Sequence, residues 1–148
     1  MPIIEYPFQA KGFTKLSPIL PIIIVNPDNG FVFPTWGLID TGADDTSIPE
    51  HIAKKLGHDI KSVRPYSGYA AGGIIDVYKH TFSIDILSMN ENGQVNENDT
   101  IIKISRRRIG VISDLHCVLL GVEDFLKKYV VTIDYPRQVF SIRKPKRK

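Results

Sequence analysis

The segment Leu38-Ile39-Asp40-Thr41-Gly42-Ala43-Asp44-Asp45-Thr46-Ser47-Ile48-Pro49 joins an apolar run to a polar, acidic one. Two aliphatic residues lead directly into an aspartate, a hydroxyl residue and a glycine, so we expect the chain to leave a strand and turn sharply here. The carboxylate of Asp40 would then lie at a strand end over an apolar core, where a side chain is well fixed. Asp-Thr-Gly is also a common turn composition, and a turn without chemistry is the alternative interpretation.

The rest of the chain is rich in residues that favour strands. Ile and Val together number 32, against 14 for Leu plus Ala, and β-branched side chains pack well on a pleated sheet. Turn-forming residues at 26–30 and 135–138 separate neighbouring apolar runs and predict hairpins. The predicted strands are 19–25, 31–39, 74–78, 82–87, 100–104, 117–120, 130–133 and 139–142.

Two short segments are predicted to be helical, 49–56 and 122–129. Pro49 suits a first helical turn and Gly57 a C-terminal cap, whereas the second segment has its acids early and its lysines late, as the helix dipole favours. The polar, Asn-rich segment 88–99 is predicted to be an exposed loop. The sequence therefore indicates a mainly β barrel or sandwich with one or two short helices.

Length and charge limit the organisation of the chain. Its 148 residues fit a single domain, 1–142, followed by a basic tail, 143–148, that holds five of the 19 cations. The remaining 14 cations face 16 acids, so the body is slightly acidic. A run of this kind is typically a solvated end, and binding of nucleic acid or an acidic partner by the tail is a weaker hypothesis.

The sequence shows no signal for export or membrane insertion. The first residues lack a basic region, an apolar core and a cleavage site, and no apolar stretch approaches the ~20 residues of a spanning helix. We therefore expect a cytoplasmic protein without a membrane partner. Cys117 is the only cysteine, so no intrachain disulfide forms, and we interpret it as a small buried hydrophobe.

Three segments share a family resemblance. Residues 40–46, preceded by two aliphatics, resemble the active-site segment of the retroviral aspartic proteases and their cellular and bacterial relatives. Residues 69–74, Tyr-Ala-Ala-Gly-Gly-Ile, are similar to the glycine-tipped flap of that family, and Leu119-Leu120-Gly121 is similar to its hydrophobic-hydrophobic-glycine element. The order is the one that the family requires, and the resemblance to retropepsin-like aspartic proteases covers roughly residues 18–142.

The resemblance implies a closed β barrel with one lobe per chain and a flap hairpin. Hydrolysis by carboxylates needs one group that accepts a proton from water and another that donates to the carbonyl. Because this chain has a single Asp-Thr-Gly motif, we expect a symmetric homodimer in which each copy supplies one Asp40. The expected substrate is an extended polypeptide, and neither a cofactor nor a metal is implied.

The resemblance also implies roles for individual residues. Asp40 is the expected catalytic acid, Thr41 would bond across the dimer axis, and Gly42 would let the substrate backbone approach closely. The flap would close over the peptide and exclude water. The residues expected to bind substrate, from the motif and from the flap, are Ala43, Asp44, Asp45, Ala71, Gly72, Gly73 and Ile74.

One departure from the viral pattern lies after Gly121. Those enzymes usually carry an arginine next, which pairs with the acid that matches Asp44, whereas this chain has Val122. We expect the cation for Asp44 to come from Arg137 or from the arginine run 106–108. The departure and the added segment 88–99 leave open a second hypothesis, a non-catalytic dimerisation or peptide-binding module of the same fold.

Two weaker signals are interpreted structurally. The glycines of 68–73 are not followed by the Gly-Lys-Ser/Thr of a phosphate loop. The pair His116-Cys117 is interpreted as lying in an apolar strand, and the other histidines show no metal-ligand spacing. The glycines are interpreted as a hairpin turn, and core or surface roles are expected for His116 and Cys117.

Overall fold

The computed structural model describes residues 3–147, which form ten strands and one short α-helix. Two single turns of 3-10 helix, Ile60–Ser62 and Leu126–Lys128, interrupt the connections. The elements in chain order are β1 (Ile3–Pro7), β2 (Ile19–Val25), β3 (Val32–Ile39), β4 (Ser47–Pro49), α1 (Glu50–Lys55), β5 (Tyr66–Ala70), β6 (Gly73–Met89), β7 (Val95–Ile112), β8 (Val118–Leu120), β9 (Val130–Asp134) and β10 (Val139–Arg143).

Six of these strands close into a barrel. In the order β2-β3-β8-β4-β7-β6 each strand pairs with the next, and β6 pairs back with β2 between Ile22↔Ile86 and Val25↔Ser83. The pairs β3–β8 and β4–β7 are parallel, whereas the other pairs of the ring are antiparallel. The mainly β, single-lobed closed barrel expected from the sequence is thus confirmed.

Two further units lie outside the ring. β5 pairs only with the first part of β6, from Tyr66↔Val77 to Ala70↔Gly73, and forms a projecting hairpin. A separate sheet, β1-β10-β9, joins the two ends of the described chain in antiparallel fashion. No helix in residues 3–147 is long and apolar enough to cross a membrane.

The barrel interior is filled by one cluster of aliphatic and aromatic side chains. Ile22 and Ile24 from β2 and Phe82 from β6 are at most 1% exposed. Burying a side chain of this size contributes roughly 2 kcal/mol, and α1 adds Ile52 and Ala53 to the same cluster. The core includes Ile39, the last residue of β3, which lies directly before Asp40.

Two predictions about local structure are wrong. The expected helix 122–129 is reduced to the 3-10 turn Leu126–Lys128, because Phe125 is buried with non-helical angles (φ −141°, ψ −66°). The expected loop 88–99 is mostly strand: β6 reaches Met89 and β7 starts at Val95. Polar side chains do not prevent this, since the ladder bonds use backbone groups.

Most predicted strands are confirmed, with differences at their ends. The runs 74–78 and 82–87 belong to the single strand β6, and the turns at 26–30 and 135–138 each join an antiparallel pair. β1, β4 and β5 were not expected. In the proposed tail, Arg143 ends β10, residues 144–147 are exposed, and Lys148 lies outside the described residues.

Candidate active site

Asp40 lies at the point where β3 leaves the barrel. Its backbone N–H donates to the carbonyl of Leu120 at 3.1 Å, which continues the parallel β3–β8 pairing by one residue. Its carbonyl accepts from the N–H of Ala43 at 3.2 Å and closes a tight turn. The aspartate is therefore fixed on the strand side and on the turn side, as expected for an acid at a strand end.

The side chain of Asp40 is held by the turn that follows it. The N–H of Gly42 donates to Asp40 Oδ1 at 3.0 Å, which fixes one carboxylate oxygen and leaves Oδ2 without a protein partner among the described residues. Asp40 is half-buried, whereas Thr41 and Gly42 are exposed. The acid thus lies in a rigid loop whose outer surface is open in the single chain.

The turn after β8 supports this loop along its backbone. The N–H of Val122 donates to the carbonyl of Ala43 at 2.9 Å, and the N–H of Glu123 donates to that of Asp44 at 2.8 Å. Gly121 permits the approach, since a Cβ at this position would lie 2.3 Å from the carbonyl carbon of Asp45. The Leu-Leu-Gly element therefore forms the support of the Asp-Thr-Gly loop.

The far end of the loop is fastened by Thr46 and Asp124. Thr46 is fully buried; its N–H donates to Asp124 Oδ2 at 2.8 Å, and its Oγ1 accepts from the N–H of Gly121 at 3.1 Å. The other oxygen of Asp124 accepts from Arg107 Nη1 at 2.9 Å. Asp124 is 15% exposed, so its charge needs both partners.

Asp44 and Asp45 are exposed, and neither forms an ion pair with any residue in 3–147. The expected partners of Asp44 are engaged elsewhere, which corrects that prediction. Arg106 pairs with Asp28, Arg107 with Asp124, and Arg137 with Glu5 and Asp134. Arg108 donates to the carbonyl of Lys79.

The β5–β6 hairpin stands beside the same region. At its base, Tyr66 and Val77 lie against Gly110 of β7, which is the partner of Ser47 just after the Asp40 loop. At its tip, residues 70–74 are exposed, and Gly73 has a positive φ of +120°. The segment expected to act as a flap is therefore a two-stranded hairpin with a glycine turn.

Two titratable groups border the acidic loop. Burial raises the pKa of the Cys117 thiol, and the negative charge of Asp40 adds to the effect. Burial also raises the pKa of Tyr66, and the charges of Asp45 and Asp124 act in the same direction. Cys117 is half-buried, so the expectation of a buried small hydrophobe is wrong in its degree of burial.

No three His, Cys, Asp or Glu side chains in residues 3–147 are grouped so that they could hold a metal ion. Asp40 is the acid that the fold fixes, while Asp44 and Asp45 project from the loop surface.

The sequence did not reveal the importance of Arg107 and Asp124. Asp124 was interpreted only as one of the early acids of the predicted helix 122–129, and Arg107 as one of the arginines expected to pair with Asp44. The orientation of Arg107 depends on a β-bulge. Ile84 pairs with Ile104, whereas Phe82, two residues earlier, pairs with Arg107, three residues later, so β7 has one extra residue at this point. A bulge is not readable from alternation alone.

Comparison with known proteins gives likenesses of structure. No family model and no curated protein sequence matches the chain. A solved structure of a retropepsin-like aspartic protease from Rickettsia conorii aligns with a TM-score of 0.48 and 20% identity, over 85% of this chain and 92% of that one. EIAV protease complexed with the inhibitor HBY-793 aligns with a TM-score of 0.43 and 20% identity, over 80% and 93%.

The arrangement of the described residues agrees with the resemblance found in the sequence. An Asp-Thr-Gly turn leaves β3, β8 pairs with β3 in parallel and ends in Leu-Leu-Gly, and a glycine-tipped hairpin stands beside the turn. Residues 3–147 thus form a single-lobed, closed β barrel in which the three segments of the sequence resemblance lie close together.

Proposed function

We propose that this chain is an aspartic endopeptidase that uses the Asp40 carboxylates of two copies of itself. The observation that supports this most strongly is the fixed geometry of Asp40, whose Oδ1 accepts from Gly42 N–H while the loop around it is exposed. A single such acid cannot both accept and donate the protons of peptide hydrolysis. A second copy related by a twofold axis supplies the missing group.

The proposed mechanism uses a shared proton. Two carboxylates that face each other cannot both ionise readily, so one Asp40 holds a proton while the other is charged. The charged carboxylate accepts a proton from water as the water oxygen attacks the peptide carbonyl carbon. The protonated partner donates to the carbonyl oxygen, and the resulting tetrahedral intermediate collapses with proton transfer to the leaving amine. The products are a new carboxyl end and a new amino end.

The other residues of the loop and hairpin are assigned supporting roles. Thr41 bonds across the dimer axis through its hydroxyl, and Gly42 leaves room for the substrate main chain. Ala43, Asp44 and Asp45 bind that main chain. The tip of the hairpin, Ala71, Gly72, Gly73 and Ile74, closes over the peptide, because its exposed glycines allow the backbone to move.

The test compares the wild-type protein with Asp40→Asn. A denatured-protein or peptide mixture is incubated with each across roughly pH 4 to 7, and new termini are identified by mass spectrometry. We expect cleavage by the wild type only, with Asp40→Asn remaining dimeric by sedimentation. The matched control is Asp99→Asn, which should leave cleavage intact. It removes an exposed carboxylate from β7, close to the turn that joins β6 and β7.

Two results would count against the proposal. Cleavage that survives Asp40→Asn would show that another group, or a contaminant, carries the activity. A folded dimer that binds peptides without cleaving any would instead favour the binding module.

A further inference from the structure

The ion pair between Arg107 and Asp124 lies behind the loop that carries Asp40. Asp124 belongs to the turn after β8, and Arg107 belongs to β7. One oxygen of Asp124 accepts from the buried N–H of Thr46, and the other accepts from Arg107 at 2.9 Å. Both carboxylate oxygens of Asp124 accept hydrogen bonds. An asparagine here has only one acceptor oxygen, so it could not form both bonds.

The bulge in β7 explains why Arg107 points toward this carboxylate. Ile102 and Ile104 are buried, and regular alternation would direct Arg106 inward as well. The extra residue between Ile104 and Arg107 reverses the alternation, so Arg107 shares a face with Phe82 and Ile109, while Arg106 is exposed. The fold therefore directs one arginine of the three to the partly buried face that carries Asp124.

The Arg107–Asp124 pair fastens the loop, whereas the acids on the loop itself form no ion pair among the described residues. Val122 stands where an arginine was expected, and Asp44 has no ion pair among the described residues. The loop is instead held from Thr46, by a carboxylate on the turn and a guanidinium on the strand. The ion pair therefore fastens the loop at Thr46 and not at Asp44.

We propose that Arg107 and Asp124 are positioning residues for catalysis, which hold the Asp40 loop in the geometry that hydrolysis requires. The inference rests on the proposed function. Arg107 holds Asp124 aimed at Thr46, and Thr46 fixes the end of the loop whose start carries Asp40. Neither residue contacts the reacting atoms.

The experiment compares Arg107→Gln with Arg106→Gln, two neighbouring arginines that each form an ion pair shorter than 3 Å. For Arg107→Gln we expect kcat per folded dimer to fall about 10- to 100-fold, with a smaller change in KM, since displacement of a catalytic group by about 1 Å has effects of this size. Arg106→Gln should retain the wild-type kcat. Asp124→Asn should resemble Arg107→Gln, and the double variant should be no worse than the poorer single one.

A second variant and a second readout keep the test decisive. Arg107→Lys preserves the charge but not the planar donor group, so it should fold even where Arg107→Gln does not, and it should recover part of kcat. Amide hydrogen exchange of residues 40–46 should rise in Arg107→Gln and not in Arg106→Gln. Unchanged kcat per folded dimer and unchanged exchange would overturn the proposal, as would equal losses in both arginine variants.

The outcomes separate this proposal from the proposed function. If the wild type shows no hydrolysis that depends on Asp40, the proposed function fails, and with it the catalytic purpose of the pair. If hydrolysis depends on Asp40 but not on Arg107 or Asp124, only the positioning role is lost.

Discussion

Replacement of Gly121 by alanine tests the link between β8 and the Asp40 loop. The added methyl carbon would lie 2.3 Å from the carbonyl carbon of Asp45, 2.5 Å from its oxygen and 2.7 Å from the nitrogen of Thr46. All three atoms belong to the backbone, so no side-chain rotation relieves the overlap. Ordinary contact begins at 3.4 Å, and the two segments must separate by about 1 Å, at a cost of roughly 1–3 kcal/mol or more.

The same displacement breaks the bonds that hold the loop. The N–H of Gly121 donates to Thr46 Oγ1, and the next two N–H groups donate to the carbonyls of Ala43 and Asp44. We therefore expect Gly121→Ala to lower the midpoint of urea unfolding and to reduce Asp40-dependent hydrolysis about 100-fold or more. Gly30→Ala is the control, because its Cβ would meet no atom within 4 Å and its φ of +78° strains only the β2–β3 turn, so it should lower the unfolding midpoint without reducing hydrolysis per folded protein. A stable, active Gly121→Ala protein would refute the close approach.

Three further predictions concern stability and reactivity. Asn26 is buried and donates through Nδ2 to the carbonyl of Leu56 at 2.9 Å, so Asn26→Ala should cost about 1–3 kcal/mol by chemical denaturation; a cost equal to zero would contradict this. Burial and the nearby His80 lower the pKa of His58 below 6.5. As the pH falls, His58 is therefore protonated in the unfolded chain before it is protonated in the folded protein, so the free energy of unfolding should decrease as the pH drops through 6.5. His58→Gln should reduce this pH dependence. Burial and Asp40 raise the pKa of Cys117, so alkylation by iodoacetamide at neutral pH should be slower than in the urea-unfolded protein, and equal rates would argue against it.

The local sequence predicted those parts of the fold that depend on near neighbours. Ile and Val content indicated strands, and Asn-Pro-Asp-Asn-Gly at 26–30 predicted the β2–β3 hairpin that forms. Asp40, with a glycine two residues later, predicted a fixed acid at a strand end, because the turn and its N–H donor are encoded within three residues. These features need no information from distant parts of the chain.

The parts that escaped prediction depend on distant partners. β1 is a strand because it pairs with β10 at the other end of the chain. The segment 122–129 has helical charge order, but burial of Phe125 and the bonds of Asp124 to Thr46 and Arg107 outweigh that weak preference. The orientation of Arg107 depends on a bulge that only the register with β6 reveals.

The parallel pairing of β3 with β8 has a consequence for the order of folding. The long β6–β7 hairpin joins segments that follow each other in the chain, so it can form as soon as both are present. Leu38 and Leu119, in contrast, must meet across most of the chain before Asp40 gains its backbone partner on Leu120. Closure of so long a loop is entropically costly and comes late. During synthesis β3 can pair with β2 early, but Asp40 gains its backbone partner on β8 only after residue 120 has been made, so the fixed geometry of the acid forms late.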